Sequence, residues 1–197
     1  MNNIILASGS PRRLEILTMA GYNCKVIKPE TDENIEYTSA REYVCELSKR
    51  KAAEVAEKND GCIIAADTVV VADGKILGKP TDEEDAVNML RSLSGREHSV
   101  LTGFTVRKGD KAFTEVSETK VLMRHITEEE IKAYVDSGNP MDKAGAYGIQ
   151  CAAGMFIEKI DGDYYTVVGL PICPISVILR ETIRFNTRNK IDDPSYF

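Results

Sequence analysis

The sequence predicts an α/β fold built on a mixed, twisted sheet with flanking helices, and three observations lead there. Strand-like and helix-like segments alternate along the chain. Turn signals join several strands directly as hairpins. No internal repeat, low-complexity tract or Pro/Gly/Ser linker divides the 197 residues, which read as one domain, 1–197.

The elements follow in order. Asn3 to Ala7 is a short apolar strand. Ser10 then Pro11 supplies an N-cap and a first helical residue, opening a helix to about Ala20. Cys24 to Ile27 is a second strand, Ser39 to Lys58 a long helix, and Cys62 to Ala66 a buried strand. Val69 to Ala72 and Lys75 to Leu77 flank Asp73-Gly74, a strong hairpin signal. Asp82 to Leu93 is helical, and strands near His98 to Arg107 and Lys111 to Met123 meet at Gly109-Asp110. Thr127 with Glu130 forms a capping box for a helix that stops at Gly138-Asn139-Pro140. Met155 to Ile160, the turn Asp161-Gly162, and Tyr164 to Val168 read as another hairpin, and Pro174 to Phe185 as a last helix.

Composition narrows the function. A net charge of −6 is a handicap for general nucleic-acid binding, which normally needs a basic footprint, although a local basic pocket for a small anion stays open. Five cysteines at wide spacing, with no Cys-x-x-Cys, fit neither a disulfide framework nor a zinc site and suggest reduced thiols in a cytoplasm. The start lacks the basic region and apolar length of a signal peptide, and no run approaches the ~18 apolar residues of a membrane helix. A cytoplasmic protein without a membrane or nucleic-acid partner is expected.

Several common chemistries fail on inspection. There is no Gly-x-Gly-x-x-Gly and no Gly-x-Ser-x-Gly, and Gly74 to Lys79 is one residue short of a P-loop. The two histidines, His98 and His125, are isolated. What remains is carboxylates and cations in unusual settings. Ser8-Gly9-Ser10-Pro11-Arg12-Arg13 carries a strand into a helix N-terminus, where free N–H groups and the dipole favour an anion; two arginines there otherwise oppose the dipole. A capped helix with solvent-facing arginines explains the same residues. Asp67 is flanked on both sides by apolar runs and needs a metal, a lysine or hydrogen bonds to be buried. Structural ion pairs imitate such a site.

On the long helix, Lys49 falls by spacing within a stripe of small residues (Cys45, Ala52, Ala53, Ala56), from which an ammonium can reach a cleft; snorkelling to solvent is the alternative. Lys79, just past the Asp73-Gly74 hairpin, is a second candidate phosphate cation or a solvated turn lysine. The stretch Asn139 to Gln150, poor in bulky aliphatics, suits either the floor of a pocket for a flat ligand or a tight turn.

Taken together, Ala7-Ser8-Gly9-Ser10-Pro11-Arg12-Arg13, Ala66-Asp67-Thr68-Val69-Val70, Leu93-Ser94-Gly95, Gly78-Lys79-Pro80, Asp142 to Gln150 and Val168-Gly169-Leu170-Pro171 resemble the Maf family of nucleotide pyrophosphatases, in the inosine triphosphate pyrophosphatase superfamily. The resemblance runs from Leu6 to about Pro171. It implies two lobes around a central cleft and hydrolysis of a nucleoside triphosphate to its monophosphate and pyrophosphate with Mg²⁺ or Mn²⁺. By position it implies Asp67 as proton acceptor, Ser8, Arg13, Lys49 and Lys79 as phosphate contacts, and Glu30 with Asp67 at the metal.

Arg12, Thr68 and Gln150 match the branch acting on dTTP and UTP, with modified pyrimidine nucleotides as further candidates. The branch acting on 7-methyl-GTP looks like Thr-Ser-Pro-Trp-Arg, Ser-Asp-Gln and Lys-Ser-Glu at these places, none of which occurs here. The amide of Gln150 both donates and accepts, which suits the N3–H and a carbonyl of thymine or uracil. Cys151 stands where the family usually has glycine, a departure bearing on pocket shape. A homodimer is a further family expectation. The rival function is a nucleotide-binding regulator in cell division, with the same pocket and no turnover.

Overall fold

A computed structural model describes residues 3–183. Its centre is a seven-stranded mixed sheet: β1 (Ile4–Ala7), β2 (Cys24–Ile27), β3 (Cys62–Ala72), β4 (Lys75–Leu77), β5 (Glu97–Lys108), β6 (Lys111–Met123) and β7 (Ile157–Asp161). The strand order is β2-β1-β3-β5-β6-β7, with β4 returning on β3. β1 runs parallel to β2 and β3, and the remaining pairs are antiparallel. The expected mixed sheet is therefore present, and both hairpins turn where the sequence placed them. Asp73 and Gly74 have φ of 50° and 73°, the pair of left-handed residues that a two-residue hairpin turn requires.

Around the sheet lie α1 (Pro11–Met19), α2 (Ala40–Ala56), α3 (Glu83–Leu93), α4 (Glu128–Asp136), α5 (Tyr164–Val168) and α6 (Ile172–Ile183). Their starts are fixed by local chemistry. The Ser39 and Asp82 side chains accept from the backbone N–H of Glu42 and Asp85, and Thr127 with Glu130 closes the expected capping box. Among the described residues no helix is long and apolar enough to cross a membrane.

Two expectations need correction. Cys62 to Ala66 and Val69 to Ala72 are not separate pieces: β3 is one strand of 11 residues, with Asp67 in its middle. Tyr164 to Val168 is not the second strand of a hairpin. It is the short helix α5, because the Asp163 carboxylate accepts from the Thr166 N–H and Gly169, at φ 115°, closes the other end. The last helix begins at Ile172, before Pro174, and the expected end at Phe185 lies outside the described residues.

Alternation along β3 sorts the core. Ile63 and Ala65 pack with Ala52 and Val55 of α2, and Val69 packs with Val44. On the opposite face Ile64 and Ala66 join one cluster with α1 and α6, while Val70 joins another with α3 and α4. Thr68 stands between those two clusters. Gly103 of β5 pairs with Asp67, and a Cβ there would sit 2.3 Å from the Val44 carbonyl oxygen.

The sheet is notched at its centre. β1 pairs with Cys62 to Ala65 of β3 and β4 pairs with Val70 to Ala72, so no strand lies opposite 66–69 on that side. Open sheets bind ligands beyond the carboxyl ends of parallel strands, and β1 ends at this notch.

Candidate active site

A cleft of about 610 Å³ opens over the notch. It is lined by the turn after β1, the start of α1, the middle of β3, Lys79, part of α2 and the 142–150 segment. Seven of the sequence candidates, Ser8, Arg12, Arg13, Asp67, Thr68, Lys79 and Gln150, meet there.

Asp67 projects from the α2 face of β3. Its Oδ1 accepts from the Lys51 ammonium at 2.6 Å, and the same ammonium donates to Glu33 Oε1 at 2.6 Å. The Lys51 and Asp67 side chains are 10% and 12% exposed, whereas Glu33 is 55% exposed and reaches in from the loop before α2. Two carboxylates thus share one buried cation. Partial burial alone would raise the pKa of Glu33; the hydrogen bond and charge of Lys51, helped by Lys79 and Arg13, reverse this and leave it lowered.

Here the structure corrects two assignments. Lys49 lies on the exposed side of α2 and does not line the cleft; Lys51 does. Of the small-residue stripe that drew attention to Lys49, only Ala52 is fully buried, with Ala56 at the edge of the same cluster. Val44, Leu47, Ser48, Ala52 and Val55 are the packed face, and Lys51 falls at its centre by i+3/i+4 spacing, a signal the sequence did contain. Glu30 is likewise exposed and away from the cleft, its backbone N–H bonded to Glu54; Glu33 is the second acidic group. Nothing periodic in that loop points to Glu33.

Arg13 is the most heavily bonded side chain of the site. Its Nε donates to the Gly169 carbonyl at 2.8 Å, Nη1 to Ser8 Oγ at 3.0 Å and the Ala66 carbonyl at 2.7 Å, and Nη2 to Thr68 Oγ1 at 3.1 Å. Four of the five N–H donors of a guanidinium are thereby committed. Burial lowers its pKa, Asp67 opposes this, and Arg12 adds to the fall. Ser8 Oγ also accepts from the Ser10 N–H at 3.2 Å. With both acceptor positions in use, the Ser8 O–H is a donor beside the start of α1.

The far wall is the 142–150 segment. Arg12 reaches across to Asp142 at 3.0 Å, and the buried Lys143 ammonium bonds Asp142 and the Asn139 carbonyl. Gly145 N–H donates to the Gly78 carbonyl at 2.9 Å, tying this wall to the backbone beside Lys79. Behind it, Tyr147 OH lies 2.7 Å from Nε2 of the buried His98. Gln150 is exposed at the rim, followed by the half-buried Cys151.

The donor set fits a hard divalent cation. Among the described residues no three His, Cys, Asp or Glu side chains cluster to hold a metal alone. Mg²⁺ suits fewer: it is usually bound through one or two carboxylates together with substrate phosphates and water, and Asp67 with Glu33 supplies two.

The chain is similar to known proteins over most of its length. A family model described as Maf-like protein matches residues 3–182. A dTTP/UTP pyrophosphatase of Carboxydothermus hydrogenoformans is 50% identical over 183 residues, covering 90% of this chain and 97% of that protein. A dTTP/UTP pyrophosphatase of Bacillus cereus is 48% identical over 188 residues, covering 94% and 97%. Among solved structures, the Staphylococcus aureus Ham1 protein overlaps 61% of this chain and 71% of its own, at 15% identity and a TM-score of 0.43.

Proposed function

The chain belongs to the Maf-like protein family, and from that premise we propose that it is a nucleoside triphosphate pyrophosphatase acting on dTTP and UTP. The observation that carries the reading is the buried Lys51 ammonium shared by Asp67 and Glu33, beside a fixed guanidinium at a helix N-terminus. The full-length likeness to enzymes bearing that name supports the substrate class.

In this reading the triphosphate lies against the start of α1. Ser8 donates its O–H, Arg13 presents a fixed positive charge, and Lys79 closes on the phosphates from the other side. Water attacks the α-phosphorus, the bond to the pyrophosphate oxygen breaks, and Asp67 accepts the proton of the water. Lys51 holds Asp67 Oδ1, which orients the carboxylate and leaves Oδ2 for that task. Asp67 and Glu33 would hold a Mg²⁺ or Mn²⁺ ion, which when bound would supply Lewis-acid stabilisation of the phosphate charge. Charge developing on the leaving pyrophosphate is met by cations already in place, so little reorganisation is needed in the transition state. Gln150 reads the pyrimidine at the rim.

The test is pyrophosphate release from dTTP, UTP, CTP, dATP, GTP and 7-methyl-GTP with Mg²⁺ or Mn²⁺. Selective turnover of dTTP and UTP is expected. Asp67→Asn should lower kcat by about 10³-fold or more with the fold intact, and a loss under tenfold would remove Asp67 from the chemistry. Tight nucleotide binding without turnover would point to a regulator instead.

A further inference from the structure

We propose that Thr102, remote from the cleft surface, is a positioning residue that fixes the guanidinium of Arg13 through the hydroxyl of Thr68. The kinetic arm of this inference rests on the pyrophosphatase reading above.

The argument is one of proton counting. Thr102 is fully buried, and its Oγ1 lies 2.8 Å from the Thr166 carbonyl, which can only accept. Thr102 therefore gives its single proton to Thr166. Thr68 Oγ1 is 2.9 Å from Thr102 Oγ1, so of that pair Thr68 must be the donor. Its proton spent, Thr68 can only accept from Nη2 of Arg13, at 3.1 Å. The sequence Arg13 to Thr68 to Thr102 to the Thr166 carbonyl runs in one direction, with each hydroxyl's role fixed by the next.

Position supports the same conclusion. Thr68 and Thr102 are paired across β3 and β5, in the seam between the two hydrophobic clusters on that face. Packing alone would favour apolar residues there, since a buried hydroxyl is costly without partners. The relay ends on α5, the helix whose C-cap, Gly169, accepts from Nε of the same guanidinium. Both ends of the Arg13 fork are thus referred to one short element, directly at Nε and through two threonines at Nη2.

The variants are Thr102→Val, which keeps the shape and removes the hydroxyl, and Thr102→Ser, which restores it. Each is made in the full chain and measured for pyrophosphate release and, by calorimetry, for binding of inorganic pyrophosphate with Mg²⁺. Thr102→Val should lower kcat/KM by tenfold or more, by the same factor for dTTP and UTP, and weaken pyrophosphate binding. Thr102→Ser should stay within about threefold of wild type. Thr68→Val should lose at least as much, and the Thr68→Val/Thr102→Val double variant should be no worse than Thr68→Val alone, because the two act in series.

A Thr102→Val protein within twofold of wild type, or additive losses in the double variant, would each overturn the proposal. Wild-type protein that binds pyrophosphate without turnover, and loses that binding in Thr102→Val, would keep the relay and refute the enzyme. If Thr102→Val does not fold, side-chain ¹⁵N spectra of the wild type decide: resolved Nη proton signals for Arg13, assigned with Arg13→Lys, are expected, and a single averaged signal overturns the relay.

Discussion

Gly103 lies directly across the β3–β5 ladder from Asp67, and its missing side chain is what allows α2 to come down onto the sheet there. The same helix brings Lys51 to the carboxylate opposite. Gly103→Ala would place a Cβ 2.3 Å from the Val44 carbonyl oxygen, a contact that only backbone movement can relieve. Overpacking of this kind costs about 1–3 kcal/mol. The expected outcome is a lower urea midpoint together with a disproportionate loss of pyrophosphate release, as Lys51 is carried away from Asp67. Unchanged turnover in a destabilised protein would show that the spacing of α2 does not set the site.

Lys51 and Lys49, two residues apart on one helix, should behave oppositely. Removing one partner of a buried ion pair leaves an uncompensated charge, at a cost of about 3–5 kcal/mol when the burial is deep. Lys51→Met should lower turnover by about 100-fold or more, and Lys49→Met should stay within about twofold of wild type. Parallel kcat determinations on the two variants check this.

Arg13→Lys should fail despite keeping the charge. A lysine is a point charge with three donors and cannot reach four acceptors arranged for a planar fork. Loss of about 2–3 kcal/mol in stability and at least tenfold in KM for the nucleotide is expected, read from urea unfolding and steady-state kinetics.

Acid should destabilise the protein through His98. Burial depresses its pKa from 6.5 to about 4, against smaller raising contributions from the Arg96 backbone and Glu97. Below pH 6.5 the unfolded chain takes up a proton at this histidine that the folded one refuses, so stability falls between pH 6.5 and 4. The shift bounds the loss at about 3 kcal/mol. His98→Gln, which can still bond Tyr147 OH and does not titrate, should flatten that part of the profile. Urea midpoints measured every half pH unit for both proteins provide the comparison, and identical slopes would rule His98 out.

Most of the framework was legible because local chemistry and tertiary packing agreed. Thr127 is a cap in sequence and in structure, the helices read from Ser39 and Asp82 start there with those side chains as caps, and Asp73-Gly74 turns the hairpin as its residues demand. Asp67 was legible too, since a carboxylate amid β-branched residues needs a partner wherever it sits. The partner was not found, because the stripe of small residues around Lys49 outweighed the more centred pattern around Lys51. The helical state of Tyr164 to Val168 was hidden by its β-favouring residues, which the Asp163 cap and Gly169 override over five residues. Glu33 depends on a loop path that no short-range pattern encodes.

The notch in the sheet gives irregularity a function. β1 stops at Ala7, opposite Ala65, and β4 ends at Leu77, opposite Val70, and the Ala66 carbonyl between them accepts from Arg13 instead of from a neighbouring strand. A chain that extended β1 by four residues would carry the ladder across 66–69 and gain order, while walling off the floor of the cleft. Loss of activity here need not come from damage; a more perfect sheet would be enough.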